Sequence, residues 1–130
     1  MGNTEKRKIL VVEDDEIMRG IEVKQLKSLD QVILEAEDGQ QALLEIEKHK
    51  PDLILLDLLL PKVDGYGVLE AIRKHKDPAI AKSVVLVLSN LWSDKDILRA
   101  KALKVDAYFV KASTPIEDVI EKVTEILKDM

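Results

Sequence analysis

Three features of the sequence predict an α/β protein built on a parallel sheet. Short runs rich in Val, Ile and Leu alternate with amphipathic stretches along the chain, the pattern of strands feeding helices. Runs such as Ile9-Leu10-Val11-Val12 and Leu53-Ile54-Leu55-Leu56 are apolar at every position, as strands covered on both faces are. Four of the runs lead directly into polar residues, which gives one edge of the sheet a distinct chemistry.

Taken in order, the first strand reads as Lys8–Val12 and its helix as 16–29, with Asp15 as N-cap and Glu16 as a first-turn acid. The second pair is Val32–Ala36, the weakest strand pattern, and a helix over 39–48. Leu53–Leu56 and a helix over 65–74 form the third. The fourth is a strand over 84–88 and a helix over 94–104, whose start has Ser93 and Asp96 spaced as a capping box. The fifth is Ala107–Val110 and a helix over 115–128, with Thr114 as cap, Pro115 in the first turn and Glu117 as the box acid. Pro51, Pro61 and Pro78 fall between elements, and no repeat or linker interrupts the series.

The length of 130 residues fits one domain over 1–130, large enough for a core of its own. No cysteine is present, which excludes disulfides, thiolate metal sites and a cysteine nucleophile. No apolar run approaches the roughly twenty residues of a membrane helix, and the start MGNTEKRK lacks the apolar segment of a secretory signal. Met1-Gly2 resembles a myristoylation start, but Lys6 occupies the position where that signal needs Ser or Thr. A cytoplasmic protein without membrane insertion is expected. The net charge of −5 argues against direct binding of nucleic acid and favours protein partners.

The chemistry gathers where the strands end. Glu13-Asp14 follow the first, Asp57 the third, Ser89 the fourth and Lys111 the fifth. In a parallel sheet these carboxyl ends share one edge, the edge where open α/β folds bind ligands. Singly, each residue has an ordinary reading as a cap, a turn former or a solvated loop residue. Their joint placement carries the functional one. Carboxylates brought together repel one another, and a hard divalent cation offsets that charge. Oxygen-only ligation with few carboxylates suits Mg²⁺, with Mn²⁺ also acceptable. With such a cation and an ammonium nearby, Asp57 can attack a phosphoryl group to give an acyl phosphate.

The segments ILVVEDDE, DLILLDLLLPKVDGYGVL, VVLVLSN and DAYFVKA together resemble the receiver domains of response regulators, in order across the whole chain. The resemblance implies a stand-alone receiver of a two-component system with a flavodoxin-like, doubly wound sheet of order 2-1-3-4-5 and five helices. It implies Asp57 as phosphoacceptor, Asp14 and Asp57 as metal ligands, Glu13 acting through water, and the Leu59 carbonyl completing the set. Lys111 then pairs with the phosphorylated Asp57, Ser89 bonds a phosphoryl oxygen, and Tyr108 is the switch aromatic that packs inward. The implied partners are a sensor histidine kinase or phosphotransfer protein and a downstream protein. The latter would meet a face made by the fourth helix, fifth strand and fifth helix, including Lys95, Arg99, Tyr108 and Glu117. Such a module has self-phosphorylation and autophosphatase chemistry rather than turnover.

The sequence departs from the family pattern at several points. Ala112 stands where the family usually has a proline, and a cis bond without proline costs about 3 kcal/mol, so a trans Lys111-Ala112 peptide is expected. Lys104 occupies a position where a helix-ending glycine is common, so the turn must avoid the left-handed conformation there or bear its cost. Leu59 and Leu91 stand at positions that tune dephosphorylation, and neither can position water, which predicts a long-lived aspartyl phosphate. Trp92 either covers the core, gates the pocket or meets a partner. Two other functions compete: a phosphorylation-independent pseudo-receiver scaffold, and a small flavodoxin-like binding protein or hydrolase. The second lacks a Gly-rich nucleotide loop, and His49 and His75 sit at predicted helix ends.

Overall fold

The computed structural model describes residues 5–130; the Met1-Gly2 start lies outside them. Five parallel strands form one sheet in the order β2-β1-β3-β4-β5, namely β1 (Lys8–Val12), β2 (Val32–Ala36), β3 (Leu53–Leu56), β4 (Val84–Ser89) and β5 (Ala107–Val110). The α-helices among the described residues are α1 (Glu16–Lys27), α2 (Gly39–His49), α3 (Gly65–Arg73), α4 (Pro78–Ala81), α5 (Asp94–Ala102) and α6 (Ile116–Lys128). This is the doubly wound α/β fold expected, with one helix more than the five read from the sequence. The extra helix is a single turn started by Pro78 and capped by Asp77, whose carboxylate accepts from the Ala79 amide at 2.9 Å. Pro78 therefore begins an element rather than lying between two.

Strand composition sets the layers. Ile9, Leu10, Leu53, Ile54 and Leu56 are completely buried, whereas the edge strands β2 and β5 are largely half-exposed. Alternation sends Ile9, Val11, Leu53, Leu55, Leu86 and Leu88 to one face, where they pack with α1 and α6 through Val23, Leu26, Val119 and Val123. Leu10, Val12, Ile54, Leu56, Val85 and Val87 fill the other face with α2, α3, α4 and α5.

Short acids start most of the helices. Asp15, Asp38 and Asp64 accept from the amides of Met18, Gln41 and Gly67 at 3.0, 2.7 and 2.9 Å. Ser93 caps α5 as expected, its Oγ accepting from the Asp96 amide at 3.1 Å, while the Asp96 carboxylate accepts from the Ser93 hydroxyl at 2.6 Å. The α6 start differs from its expectation. Pro115 itself is the N-cap, Ile116 the first helical residue, and no side chain caps the turn; the Asp118 amide bonds the Pro115 carbonyl at 3.0 Å instead.

The end of the sheet away from the strand carboxyl termini is tied together by Arg73, which sequence reading passed over. Its guanidinium donates to the carbonyls of Ala81, Ser83, Leu103 and Lys104 at 2.8–3.0 Å. It also faces Asp106 at 3.7 Å. One planar donor thus satisfies the carbonyls of two turns that no ladder reaches. Lys104, the residue standing for the expected glycine, adopts a left-handed φ of 60° and accepts the strain. Replacing it with glycine keeps its carbonyl for Arg73 and removes that cost, offset in part by the greater freedom of unfolded glycine. Lys104→Gly is expected to stabilise the protein by about 0.5–1 kcal/mol, read as a raised urea midpoint at unchanged slope.

Candidate functional site

Strand register assembles the site. Val12 is paired with Leu56, so Glu13 and Asp57 emerge side by side, and the Asp57 amide bonds the Val12 carbonyl at 3.1 Å. Glu13 and Asp57 continue the rows of Val11 and Leu55, and Lys111 continues the row of Ala107 and Phe109, so all three lie on the α1/α6 side. Ser89 follows Val85 and Val87 on the opposite side, where Tyr108 also packs.

The structure brings Glu13, Asp14 and Asp57 together, with one carboxylate oxygen from each lying within 4.8 Å of the others. Glu13 and Asp57 are buried, at 1% and 5% exposure, while Asp14 opens to solvent. Lys111 Nζ lies 2.5 Å from Glu13 Oε1 and 2.7 Å from Asp57 Oδ2. The other Asp57 oxygen, Oδ1, accepts from the Leu59 amide at 3.0 Å. Gly65 permits this loop geometry: a Cβ there would lie 2.5 Å from the Asp57 carbonyl oxygen and 2.3 Å from Leu58 Cα. The Leu59 side chain is half exposed.

One ammonium between two buried carboxylates leaves the site short of positive charge. Burial raises the Glu13 pKa, and the Asp57 charge adds to it against the pull of Lys111. Burial opposes the charged form of Lys111 most, yet its bonds to Asp57 and Glu13 prevail and hold its pKa above the usual value. The donor set is all oxygen and its surplus charge is negative, which fits a hard divalent cation.

On the opposite face, Ser89 is fully buried and its Oγ accepts from the Leu91 amide at 3.3 Å. The Leu91 carbonyl accepts from the Tyr108 hydroxyl at 2.7 Å, so Tyr108 already points inward. Burial pushes the Tyr108 pKa up to about 12, which keeps the phenol a donor. The Lys111-Ala112 peptide is trans, and Lys111 opens a 3-10 turn over Lys111–Ser113. Trp92 is 74% exposed and does not cover the core. Arg99 lies over the Tyr66 ring, 3.9 Å from its centroid, while Lys95 and Glu117 are exposed. His49 pairs with Glu45, and His75 with Glu47, at the ends of α2 and α3 and away from the acids.

Glu22 was missed by sequence reading. It lies with Val23 and Leu26 on the buried face of α1, is 2% exposed, and its Oε1 has no hydrogen-bond partner. Burial, with the charges of Glu13 and Asp57 adding to it, raises its pKa to about 8.

The family model of the response regulator receiver domain matches residues 9–124. A probable transcriptional regulator, ycf27, from Galdieria sulphuraria is 37% identical over 112 residues, 86% of this chain and 42% of that protein. The phosphorylated cyanobacterial phytochrome response regulator RcpA is 30% identical with a TM-score of 0.78, covering 94% of this chain and 91% of that one. The Mn²⁺-bound form of response regulator Rcp1 is also 30% identical, with a TM-score of 0.76 and coverage of 92% and 91%. The chain belongs to the response regulator receiver domain family. This makes it a module of the two-component signalling type. The chain spans 15–45% of the length of the curated relatives it matches. No helix among the described residues is long and apolar enough to cross a membrane.

The Glu22 environment sets a pH dependence. A carboxyl whose pKa is about 8 when folded and about 4.5 when unfolded binds more protons in the folded state between those values, so its contribution falls as pH rises through that window. In a chelator, wild type is expected to lose about 4 kcal/mol relative to Glu22→Gln between the two pH values, measured by urea denaturation. Parallel curves for the two proteins would contradict this.

Proposed function

We propose that this chain accepts a phosphoryl group on Asp57 from a phosphohistidine of a sensor kinase or phosphotransfer protein, and that the change alters a protein-binding face. The observation that carries this reading is Asp57 itself: buried, oriented by the Leu59 amide and Lys111, and set in a cluster of acids with surplus negative charge. The Asp57 carboxylate oxygen forms the new bond to phosphorus as the phosphorus–nitrogen bond breaks, its electron pair leaving with the imidazole. Mg²⁺, or Mn²⁺, held by Asp14, Asp57 and the Leu59 carbonyl, with Glu13 acting through water, would neutralise the transferring oxygens. The Mn²⁺-bound and phosphorylated relatives support both parts of the reading.

Each remaining residue has a task. Lys111 turns its ammonium from the free carboxylate to the phosphoryl oxygens, and Ser89 donates its hydroxyl to one of them. Tyr108 communicates the change to α5, β5 and α6, where Lys95 and Glu117 offer charge to a downstream protein. A cytoplasmic location accords with a kinase partner.

Incubation with Mg²⁺ and acetyl phosphate is expected to add one phosphoryl group, seen by mass, and Asp57→Asn or a chelator is expected to abolish it. No Asp57-dependent adduct, from acetyl phosphate or as a beryllofluoride complex, would favour the phosphorylation-independent scaffold instead. The phosphorylated protein is also expected to persist for minutes or longer after donor removal, because Leu59 and Leu91 supply no base for water. Loss within seconds in Mg²⁺ would overturn that expectation.

A further inference from the structure

The loop between β4 and α5 is held from several sides. Leu91 at its centre uses both of its peptide groups: its amide donates to Ser89 Oγ at 3.3 Å and its carbonyl accepts from the Tyr108 hydroxyl at 2.7 Å. Any displacement of Leu91 therefore moves the bonding of both side chains together. Two residues further on, Ser93 and Asp96 close the cap of α5 with two bonds, at 2.6 and 3.1 Å.

That cap is anchored to a different element. Tyr66, in the first turn of α3 and only 5% exposed, donates its hydroxyl to the Asp96 carbonyl at 2.9 Å, with Asp96 Oδ1 at 3.5 Å. Arg99, one helical turn beyond Asp96, places its guanidinium 3.9 Å from the centroid of the same ring. A buried aromatic ring packed among core residues moves little, so its hydroxyl is a fixed reference point for the start of α5. Tyr66, Leu91 and Arg99 also border an open depression of about 530 Å³ that reaches Asp14 and Leu59, which sets this assembly beside the acids.

We infer that Tyr66, Asp96 and Arg99 form a latch from α3 to α5 that presets the β4–α5 loop, and with it the inward Tyr108, before any phosphoryl group arrives. The inference deepens the reading of Tyr108 as the switch and rests on it for its consequence, although the latch itself does not depend on phosphorylation. Phosphoryl transfer would then act on a loop that is already ordered, and its effect on the output face would be the change in bonding at Ser89 that Leu91 passes to Tyr108 rather than an ordering of the loop. Without the latch, the same loop would depend on phosphorylation for its order. The balance between the two loop states is set by differences in contact free energy, so loss of one bond from the latch shifts it measurably.

The test is hydrogen exchange on the full chain, free of metal and phosphoryl donor, comparing wild type with Tyr66→Phe and Arg99→Met. Tyr66→Phe keeps the ring and removes the hydroxyl, and is expected to speed exchange across residues 89–96 by about tenfold. Arg99→Met, a surface change that keeps the stem, is expected to speed it by about threefold. Exchange in β1 and α6 should stay unchanged in both, which separates a local effect from general loosening. Adding Mg²⁺ and beryllofluoride should then slow the loop strongly in Tyr66→Phe and hardly at all in wild type, with Trp92 fluorescence following the same order. Unchanged loop exchange in both variants, or equal responses to beryllofluoride in wild type and Tyr66→Phe, would overturn the latch. If mass analysis shows no Asp57-dependent adduct in any of them, the phosphoacceptor reading fails, while the donor-free comparison still decides the latch.

Discussion

The site depends on an imbalance of charge: one ammonium, that of Lys111, stands between two buried carboxylates, Glu13 and Asp57. Burying ions is costly, and a partner recovers that cost only when the charges match. Here they do not, since Asp14 adds a third carboxylate at the rim. The fold supports the mismatch because the strands beneath are among its most completely apolar, with Ile9–Val12 and Leu53–Leu56 almost wholly removed from water. Apolar burial of that kind, on the order of 1.5–3 kcal/mol per large side chain, can hold in place a group of acids that would disperse on a weaker scaffold. The surplus of like charge is therefore a standing demand for a cation.

The sheet separates two kinds of chemistry. Glu13, Asp57 and Lys111 lie on the side of α1 and α6, while Ser89 and Tyr108 lie on the side of α3 and α5. Residues that handle charge are thus kept apart from residues that handle shape. Both sets reach the carboxyl edge, and within the second Leu91 links Ser89 to Tyr108 through its own backbone. A backbone link of this kind does not depend on the identity of the side chain, so an apolar residue at this position can occupy the bridge.

Much of this was legible in the sequence. Continuous apolar runs marked the buried strands, and the residues that close them marked the edge, because parallel strands put their carboxyl ends together whatever the details of packing. Ser93 and Asp96 announced their cap, since capping is local. The α6 start read less well: Thr114 and Glu117 have the right spacing, but Pro115 takes the cap position. Glu22 left a signal, an acid at the helical spacing of Val23 and Leu26, that could have been read as a buried group. Arg73 and Tyr66 left none, and Arg99 was marked only as part of the output face. Their roles come from contacts about thirty residues or more apart, at Leu103, Asp96 and the Tyr66 ring, which no local pattern encodes.

Arg73 has a mechanical consequence. By bonding four carbonyls in the turns that lead into β4 and β5, it ties the starts of those two strands to α3 at the end remote from the acids. Two strands anchored at their starts leave their carboxyl ends, Ser89 and Val110, with the loops beyond them, as the parts placed to respond at the Asp57 edge.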